Sequence, residues 1–398
     1  MTNPTTSWKK KLDHFLHSNQ SIGITLLACT VVSLVLANWQ FSTKAYTGLW
    51  NLSFDGTAEH HAHLFFLSLP NSPSLVINDF LMALFFFLAG MEIKRELVTG
   101  ELSSVKKSLL PIFAAIGGML VPALLFAMIA RGSSYMPGWA IPTATDIAFT
   151  LGVASLLGKR VPAGLKVFIT ALAIIDDLGA ILVIAIFYGG SLHWLFLLGA
   201  AIITVVIHQL NKRKIAFGWP HFLLGLVLWY CMFNSGIHAT VAGVVFAMLV
   251  PVPLLPFYEK AFHTPVYFII LPIFALANTA IVFPADPIHS LSGPLSLGII
   301  AGLAVGKPLG IFLACYFLIS KKWAQLPDGV NWHKLIGAGM LAGIGFTMSI
   351  FISALAFTDS ATEDIAKMSV LVASLLAMVL GYGWLYVEKK HMKSIEID

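Results

Sequence analysis

Long apolar runs, separated by short polar or turn-rich clusters, are the dominant pattern along this chain. The hydrocarbon core of a bilayer is about 30 Å thick, so a helix of about 20 apolar residues can cross it. Windows of this length predict about 12 transmembrane helices and therefore an all-α membrane protein. The predicted helices run near residues 22–39, 75–93, 109–130, 138–157, 162–188, 192–210, 218–234, 237–253, 265–284, 295–319, 335–357 and 366–387.

Lys and Arg residues fall mainly on one side of these helices. Cytoplasmic loops carry an excess of these residues, so the asymmetry predicts that both termini are cytoplasmic. The other side holds only Lys44, Arg131 and Lys367, and Lys307 lies inside a predicted helix. The cytoplasmic side holds 20 of the 24 basic residues: Lys9, Lys10, Lys11, Lys94, Arg95, Lys106, Lys107, Lys159, Arg160, Lys166, Lys212, Arg213, Lys214, Lys260, Lys321, Lys322, Lys334, Lys389, Lys390 and Lys393.

The predicted helices divide the chain into three parts. Residues 1–21 form a cytoplasmic segment, residues 22–388 a single transmembrane domain and residues 389–398 a cytoplasmic tail. The one sizeable outer loop covers residues 40–74. Its Glu59, His60, His61 and His63 are side chains of metal-binding type, although a solvated loop is the favoured interpretation.

Composition agrees with a membrane protein. Apolar residues make up 58% of the chain and charged residues 11%, against about 25% charged in a soluble domain. The formal charge of +5 does not indicate a nucleic-acid partner, because the basic residues form short groups between apolar runs. Cys29, Cys231 and Cys315 lack metal-ligand spacing, and no cofactor is expected.

Four ionisable residues lie near the centres of predicted helices: Asp146, Asp176, Asp177 and Lys307. A charge facing lipid at the centre of a helix costs about 2.5–3.5 kcal/mol, so such groups normally face the bundle interior or a cavity. A fixed ion pair that locks helices together is one explanation. Three carboxylates and one ammonium leave surplus negative charge, however, and this surplus favours a cation site. Hard cations such as sodium prefer oxygen ligands, and the Thr145 hydroxyl is a further candidate.

Adjacent helical residues point about 100° apart, which assigns different roles to Asp176 and Asp177. The hypothesis is that Asp176 pairs with Lys307 while Asp177 is the principal cation ligand, joined by Asp176 when the ion arrives. Protons and sodium then compete for the same oxygens. Competition at a site that opens alternately to each side is sufficient for antiport, and net charge movement would couple it to the membrane voltage.

Two predicted helices carry helix-breaking residues. Pro142 lies in the fourth helix, and Gly337, Gly339, Gly343 and Gly345 lie in the eleventh. Unwound backbone at membrane depth is tolerated only where it lines a protein cavity, and Asp146 and Lys307 would balance the partial charges of half-helix ends. Close helix packing through Gly339 and Gly343 is the alternative explanation for the glycines.

An ordered set of segments resembles the NhaA family of bacterial sodium/proton antiporters. The segments are INDFLMALFFFLAGMEIKREL, AAIGGMLVPAL, GWAIPTATDIAFTLGV, LAIIDDLGAILV, SGIHATVAGV, GIIAGLAVGKPLGI and LAGIGFTMSIF, which cover most of residues 75–356. The resemblance implies inverted repeats in which the discontinuous fourth and eleventh helices cross. It also implies that Asp176 and Asp177 bind the ion and that Lys307 is the partner of Asp176.

The same resemblance implies an electrogenic secondary transporter of the bacterial inner membrane. It would export sodium or lithium in exchange for inward protons, contribute to pH and sodium homeostasis, and pair as a homodimer. A pH-responsive cluster would comprise Glu92, Arg95, Glu96 and Glu259, with His263 and His238 as further candidates. For Glu92 and Arg95, ordinary interfacial charges at a helix end are the alternative.

Other functions fit the buried charges less well. An intramembrane aspartyl protease built on Asp146 and Asp177 gives Lys307 no role. A cation channel with acidic rings does not suit so few and asymmetric charges. A sodium-coupled symporter needs recognition groups for an organic solute, and the sequence shows no concentration of them.

Overall fold

The computed structural model describes residues 19–57, 61–64 and 67–395. Most of the predicted N-terminal segment and the end of the predicted tail lie outside these residues. Glu59 and His60 of the outer-loop metal candidate lie outside them as well.

Helices account for most of the described chain, in the order α1 Asn19–Asn38, α2 Thr43–Trp50, α3 Pro73–Val98, α4 Val105–Ile129, α5 Ile147–Leu156, α6 Ala163–Phe187, α7 Trp194–Lys212, α8 Trp219–Phe233, α9 Val241–Leu249, α10 Val252–Asn278, α11 Pro287–Leu291, α12 Pro294–Ser320, α13 Trp332–Ala342, α14 Phe346–Ala356 and α15 Ser360–Ile395. A 3₁₀ helix, Met136–Thr143, precedes α5. Each of α3, α10 and α12 contains one π-helical stretch, at Val76–Leu81, Val266–Ile270 and Gly302–Gly306.

Eight described helices are long and apolar enough to cross a membrane: α1, α3, α4, α6, α7, α10, α12 and α15. The pair α13 and α14, which is bent by 44°, makes a ninth if it is counted as one span. The predicted runs at 138–157, 218–234 and 237–253 contain shorter helices. The fold is therefore a multi-span helical one, and the count of about 12 spans stays a prediction.

The outer loop is more ordered than the sequence pattern indicated. It contains α2 and a two-stranded antiparallel hairpin, β1 His61–Leu64 and β2 Leu67–Pro70, which is an exception to the predicted all-α class. Near its base, Asp55 accepts hydrogen bonds from Thr57 and Asn71, and these bonds hold the pKa of the Asp55 carboxyl well below its ordinary value. No group of three metal-ligating side chains occurs in the part of the chain that the structure describes.

The described chain packs as two compact units. Unit 1 comprises residues 19–27, Glu101–Ala180 and residues 283–395, and unit 2 comprises Ala28–Gly100 and Ile181–Val282. Each unit contains helices that approach backbone to backbone at glycine. In unit 1, a Cβ added to Gly310 of α12 would lie 2.1 Å from the Gly117 carbonyl oxygen of α4. In unit 2, a Cβ added to Gly243 of α9 would lie 2.0 Å from the Ala83 carbonyl oxygen of α3.

The α4–α12 contact yields a stability prediction. We expect Gly310→Ala to lower the free energy of unfolding by about 1–3 kcal/mol, because the methyl group forces two packed helices apart. The melting temperature of the detergent-solubilised protein measures this effect. Gly383→Ala is the matched control, since a Cβ at Gly383 of α15 has no atom within 4 Å. Equal losses for the two variants would contradict the proposed close contact.

Candidate functional site

The first interruption lies between the 3₁₀ helix and α5. Pro142 cannot donate a backbone hydrogen bond, and the chain is extended at Ala144 and at Asp146, the residue that begins α5. The Asp146 side chain accepts a hydrogen bond from the Phe149 N–H at 3.0 Å, as an N-cap residue does. The predicted interruption is therefore present, and Pro142 and the Asp146 cap are its local causes.

The second interruption separates α13 from α14 at residues 343–345. Two of its glycines, Gly339 and Gly343, support the close-packing explanation. Gly339 packs closely, since a Cβ there would lie 3.1 Å from Pro308 Cα. Gly343 lies in the break itself, where a Cβ would be 2.4 Å from the Leu303 carbonyl oxygen. The glycines thus let α12 approach both α13 and the break.

The two interruptions satisfy each other's backbone groups. The Asp146 N–H donates to the Ile344 carbonyl at 2.7 Å, which links the two breaks directly. Three hydroxyls then donate across to carbonyls at helix ends: Thr145 to Ala342 at 2.9 Å, Thr150 to Leu341 at 3.1 Å and Ser349 to Ile141 at 2.7 Å. Each interrupted segment therefore supplies partners that a continuous helix would have supplied internally.

The Asp146 carboxylate accepts hydrogen bonds from the first turns of both α5 and α14. One carboxylate oxygen caps α5 through Phe149, and the other accepts from the backbone N–H and the hydroxyl of Thr347 in the first turn of α14. Helix N-termini carry partial positive charge, so a single carboxylate between two of them is electrostatically favoured. This arrangement gives Asp146 a structural role in addition to the ion-binding role that the sequence predicts for it.

Lys307 is a positive charge at the C-terminal end of a helix, whereas Asp146 is a negative charge at helix N-termini. Its side chain is fully buried, and its ammonium lies 2.8 Å from Oδ2 of Asp176. The ammonium also donates to the Thr143 carbonyl at the C-terminal end of the 3₁₀ helix, where partial negative charge accumulates. Lys307 is thus shared between a helix end and a carboxylate.

The two aspartates of α6 are both buried, at 1% exposed for Asp176 and 3% for Asp177. Oδ2 of Asp176 accepts from Lys307 and lies 2.7 Å from the Thr145 hydroxyl, whose one proton is shared between this oxygen and the Ala342 carbonyl. Its Oδ1 receives no hydrogen bond from any described residue. Asp177 is close enough to Lys307 to act on it electrostatically. The structure therefore brings Thr145, Asp176 and Lys307 into direct contact, with Asp177 on the adjacent helical position.

These oxygens suit a hard cation better than a covalent reaction. Carboxylate and hydroxyl oxygens are the ligands that such ions prefer. The carboxylate of Asp146, in contrast, is hydrogen-bonded to Phe149 and Thr347 and not to a second aspartate, so its observed contacts do not form the proton-sharing dyad of an aspartyl protease.

Four of the pH-response candidates lie together in unit 2. Arg95 pairs with Glu259 and, at 3.3 Å, with Glu96, while Glu92 lies within electrostatic range of all three. The two histidines have other neighbours. The ring of His263 packs on Tyr267, with 4.7 Å between ring centroids, and His238 lies beside Asp79.

Asp79 is a buried charge that the sequence interpretation missed. It lies in the π-helical stretch of α3, and one of its carboxylate oxygens is 3.5 Å from Nε2 of His238. The Trp229 indole donates to its backbone carbonyl at 2.9 Å. Its position inside the apolar run at 75–93 was the available signal, since an acidic residue there needs the same explanation as Asp146.

Comparisons with known proteins agree with this architecture. The model of the family described as Na+/H+ antiporter 1 matches residues 13–385. A Na(+)/H(+) antiporter NhaA of Cytophaga hutchinsonii is 44% identical over 391 residues, which are 96% of this chain and 97% of that protein. The NhaA of Dechloromonas aromatica is 45% identical over 97% of this chain and 98% of its own length. These matches confirm the resemblance that the sequence motifs indicated.

The buried ion pair yields a prediction of coupling. Lys307→Met is expected to lower the free energy of unfolding by about 3–5 kcal/mol, because it leaves the Asp176 charge buried without its ammonium. The double variant Lys307→Met/Asp176→Asn should recover part of this loss. The melting temperatures of the unaltered protein, of Lys307→Met, of Asp176→Asn and of the double variant measure the coupling. Additive losses would show that the two groups do not interact.

The Thr347 hydroxyl yields a second prediction. Thr347→Val keeps the side-chain volume but removes one donor to a buried carboxylate, so we expect a loss of about 1–3 kcal/mol in the free energy of unfolding. Thr347→Ser keeps the donor and is the control that should retain most of the stability. Both are followed by thermal unfolding in detergent. A serine variant as unstable as the valine variant would argue against a role for the hydroxyl.

Proposed function

This chain belongs to the Na+/H+ antiporter 1 family, a family of multi-pass bacterial membrane proteins, and from this membership and the buried cluster on α6 we propose that it exchanges sodium for protons. The relatives that it matches are named as antiporters and not as enzymes. Transport by competition for Asp176 and Asp177 is the proposed activity.

The observation that carries the proposal is the charge balance of the buried cluster. Asp176 and Asp177 lie side by side on α6, and the ammonium within reach belongs to Lys307. With both carboxylates ionised, these two groups and the Lys307 ammonium carry a net charge of −1, and net charge in a low-dielectric interior is strongly disfavoured. One bound sodium ion or one proton removes this excess. The two ions therefore exclude each other at the same oxygens.

Alternating access follows from the burial of the site. Both aspartates are nearly inaccessible in this structure, so an ion reaches them only after the surrounding helices move. We assign this movement to the two interrupted segments, which in our proposal are the crossing helices of two inverted repeats within about 12 spans. Because each segment supplies partners to the other, a shift of one requires a shift of both.

The remaining properties belong to the same proposal. Exchange is electrogenic, lithium replaces sodium, and sodium leaves the cell as protons enter, which supports sodium and pH homeostasis. Both termini are cytoplasmic and two copies pair as a homodimer in the inner membrane. The cluster of Glu92, Arg95, Glu96 and Glu259 is the proposed pH-responsive element, with His263 and His238 as additional candidates.

Asp177→Asn is the decisive substitution. In everted vesicles with an established pH gradient, sodium should collapse the gradient for the unaltered protein, and the variant should reduce this response to the background of vesicles without the protein. The amide cannot ionise, so it neither takes up a proton nor offers a charged ligand. Fluorescence of a pH-sensitive dye measures the gradient.

Asp359→Asn is the matched control. Asp359 is an exposed carboxylate before α15 that accepts hydrogen bonds from Thr362, and asparagine can replace it as a helix cap. This variant should retain full sodium response. If Asp177→Asn also retained it, with equal amounts of protein in the vesicles, the assignment of the ion site to Asp177 would be wrong.

A further inference from the structure

An open cavity of about 920 Å³ lies at the Lys/Arg-rich end of unit 1, apart from the aspartates of α6. It is bounded by the start of α4, the start of α6 and the segment that follows α12. All of its lining residues belong to unit 1. Its size is in the range of cavities that hold organic ligands.

The wall of this cavity has an apolar and a polar level. Buried side chains of Leu110, Phe168 and Ala171 form the apolar level. Ala171 lies eight residues after the first residue of α6, so this level extends about 12 Å along the helix from its end. Glu101, Lys322 and further polar groups form the other level, at the helix ends. A ligand that fills both levels is an amphiphile.

The position of Lys322 is unusual. It has a left-handed backbone conformation, with φ of 61°, immediately after the C-terminal end of α12. The Lys322 and Trp323 N–H groups donate to the Ile319 and Leu318 carbonyls, a helix ending at which glycine is the favoured residue. A lysine here places an ammonium in the cavity wall at the expense of backbone strain. Trp323 is also exposed in this wall, as expected of a tryptophan at a membrane–water interface.

We propose that this cavity binds a zwitterionic aminophospholipid of the phosphatidylethanolamine class. Its lining includes Lys322, a residue whose ammonium is a suitable partner for the lipid phosphate. The lining also includes the acidic residues Glu101 and Asp328, to which we assign the lipid ammonium. The first acyl methylenes pack on the apolar level. An anionic lipid satisfies Lys322 but brings no ammonium to the carboxylates. A choline headgroup brings a quaternary nitrogen, which has no N–H to donate to them, so the primary ammonium of phosphatidylethanolamine fits this wall best.

Short-chain lipids below their micelle concentration test this proposal on the full-length protein in detergent. Thermal-shift titrations with dihexanoyl phosphatidylethanolamine, phosphatidylcholine and phosphatidylglycerol give an apparent Kd for each. We expect phosphatidylethanolamine to bind at least about tenfold more tightly than the other two. Glycerophosphoethanolamine, which lacks acyl chains, should bind at least about tenfold more weakly than the intact lipid.

Lys322→Gly separates lipid binding from folding. Glycine relieves the strained backbone, so the lipid-free melting temperature should stay equal or rise, while the apparent Kd for phosphatidylethanolamine rises at least about tenfold. Lys214→Gly is the matched control. Lys214 has φ of 58° and the same helix-ending hydrogen bonds after α7, but it does not line the cavity. Its lipid affinity should not change.

The carboxylates are tested by the double variant Glu101→Gln/Asp328→Asn. It should bind phosphatidylethanolamine and phosphatidylcholine equally, because both headgroups then lose the charged partners of the lipid ammonium. Equal binding of all three lipids by the unaltered protein would overturn the proposal. So would equal binding of glycerophosphoethanolamine, or equal loss of affinity in Lys322→Gly and Lys214→Gly.

Discussion

Backbone hydrogen bonding at membrane depth is the constraint on which the rest of this structure depends. Lipid offers no donor or acceptor, so a helix that stops inside the membrane must find partners within the protein. Here the two interrupted segments are partners of each other, through the Asp146 N–H and the hydroxyls of Thr145, Thr150 and Ser349. Each interruption thus supplies hydrogen-bond partners to the other, which accounts for the hydroxyl residues at both.

The charges at the site follow from the same interruptions. Asp146 compensates the partial positive charge of two helix N-termini, and Lys307 compensates the partial negative charge at the end of the 3₁₀ helix. Both residues therefore have a structural role that does not depend on a bound ion. Lys307 is consequently divided between a backbone carbonyl and Asp176. The ammonium that Asp176 contacts is thus shared with a helix end. In the exchange that we propose, either a proton or a metal ion neutralises the carboxylates of α6.

The sequence predicted the features that depend on a few residues whose presence within a membrane helix costs free energy. A proline or a charge in an apolar run needs a specific solution, so Pro142, Asp146 and Lys307 pointed to interrupted helices and to buried partners. Asp79 is likewise an acidic residue within an apolar run, at residues 75–93, but the sequence interpretation did not include it among the buried charges. The helix α2 and the hairpin β1–β2 were missed because short elements in a polar loop lack a strong periodicity. The helix predicted for residues 237–253 was too long, since α9 covers only Val241–Leu249. Apolar composition alone does not show that a turn precedes Val241.

The contrast between the continuous helix α6 and the two interrupted segments supports the movement that we propose. α6 runs without a break from Ala163 to Phe187 and carries both aspartates. It is also held tightly beside α4, since a Cβ at Gly179 would lie 2.4 Å from the Met119 sulfur. Packed helices resist deformation, whereas extended residues and glycine breaks absorb changes of backbone angle. Exposure of Asp176 and Asp177 is therefore easier by displacement of residues 143–146 and 343–345 than by bending of α6. Because Thr145 contacts Asp176 from the first of these segments, a change of charge at the aspartate would act directly on a segment to which our proposal assigns the movement.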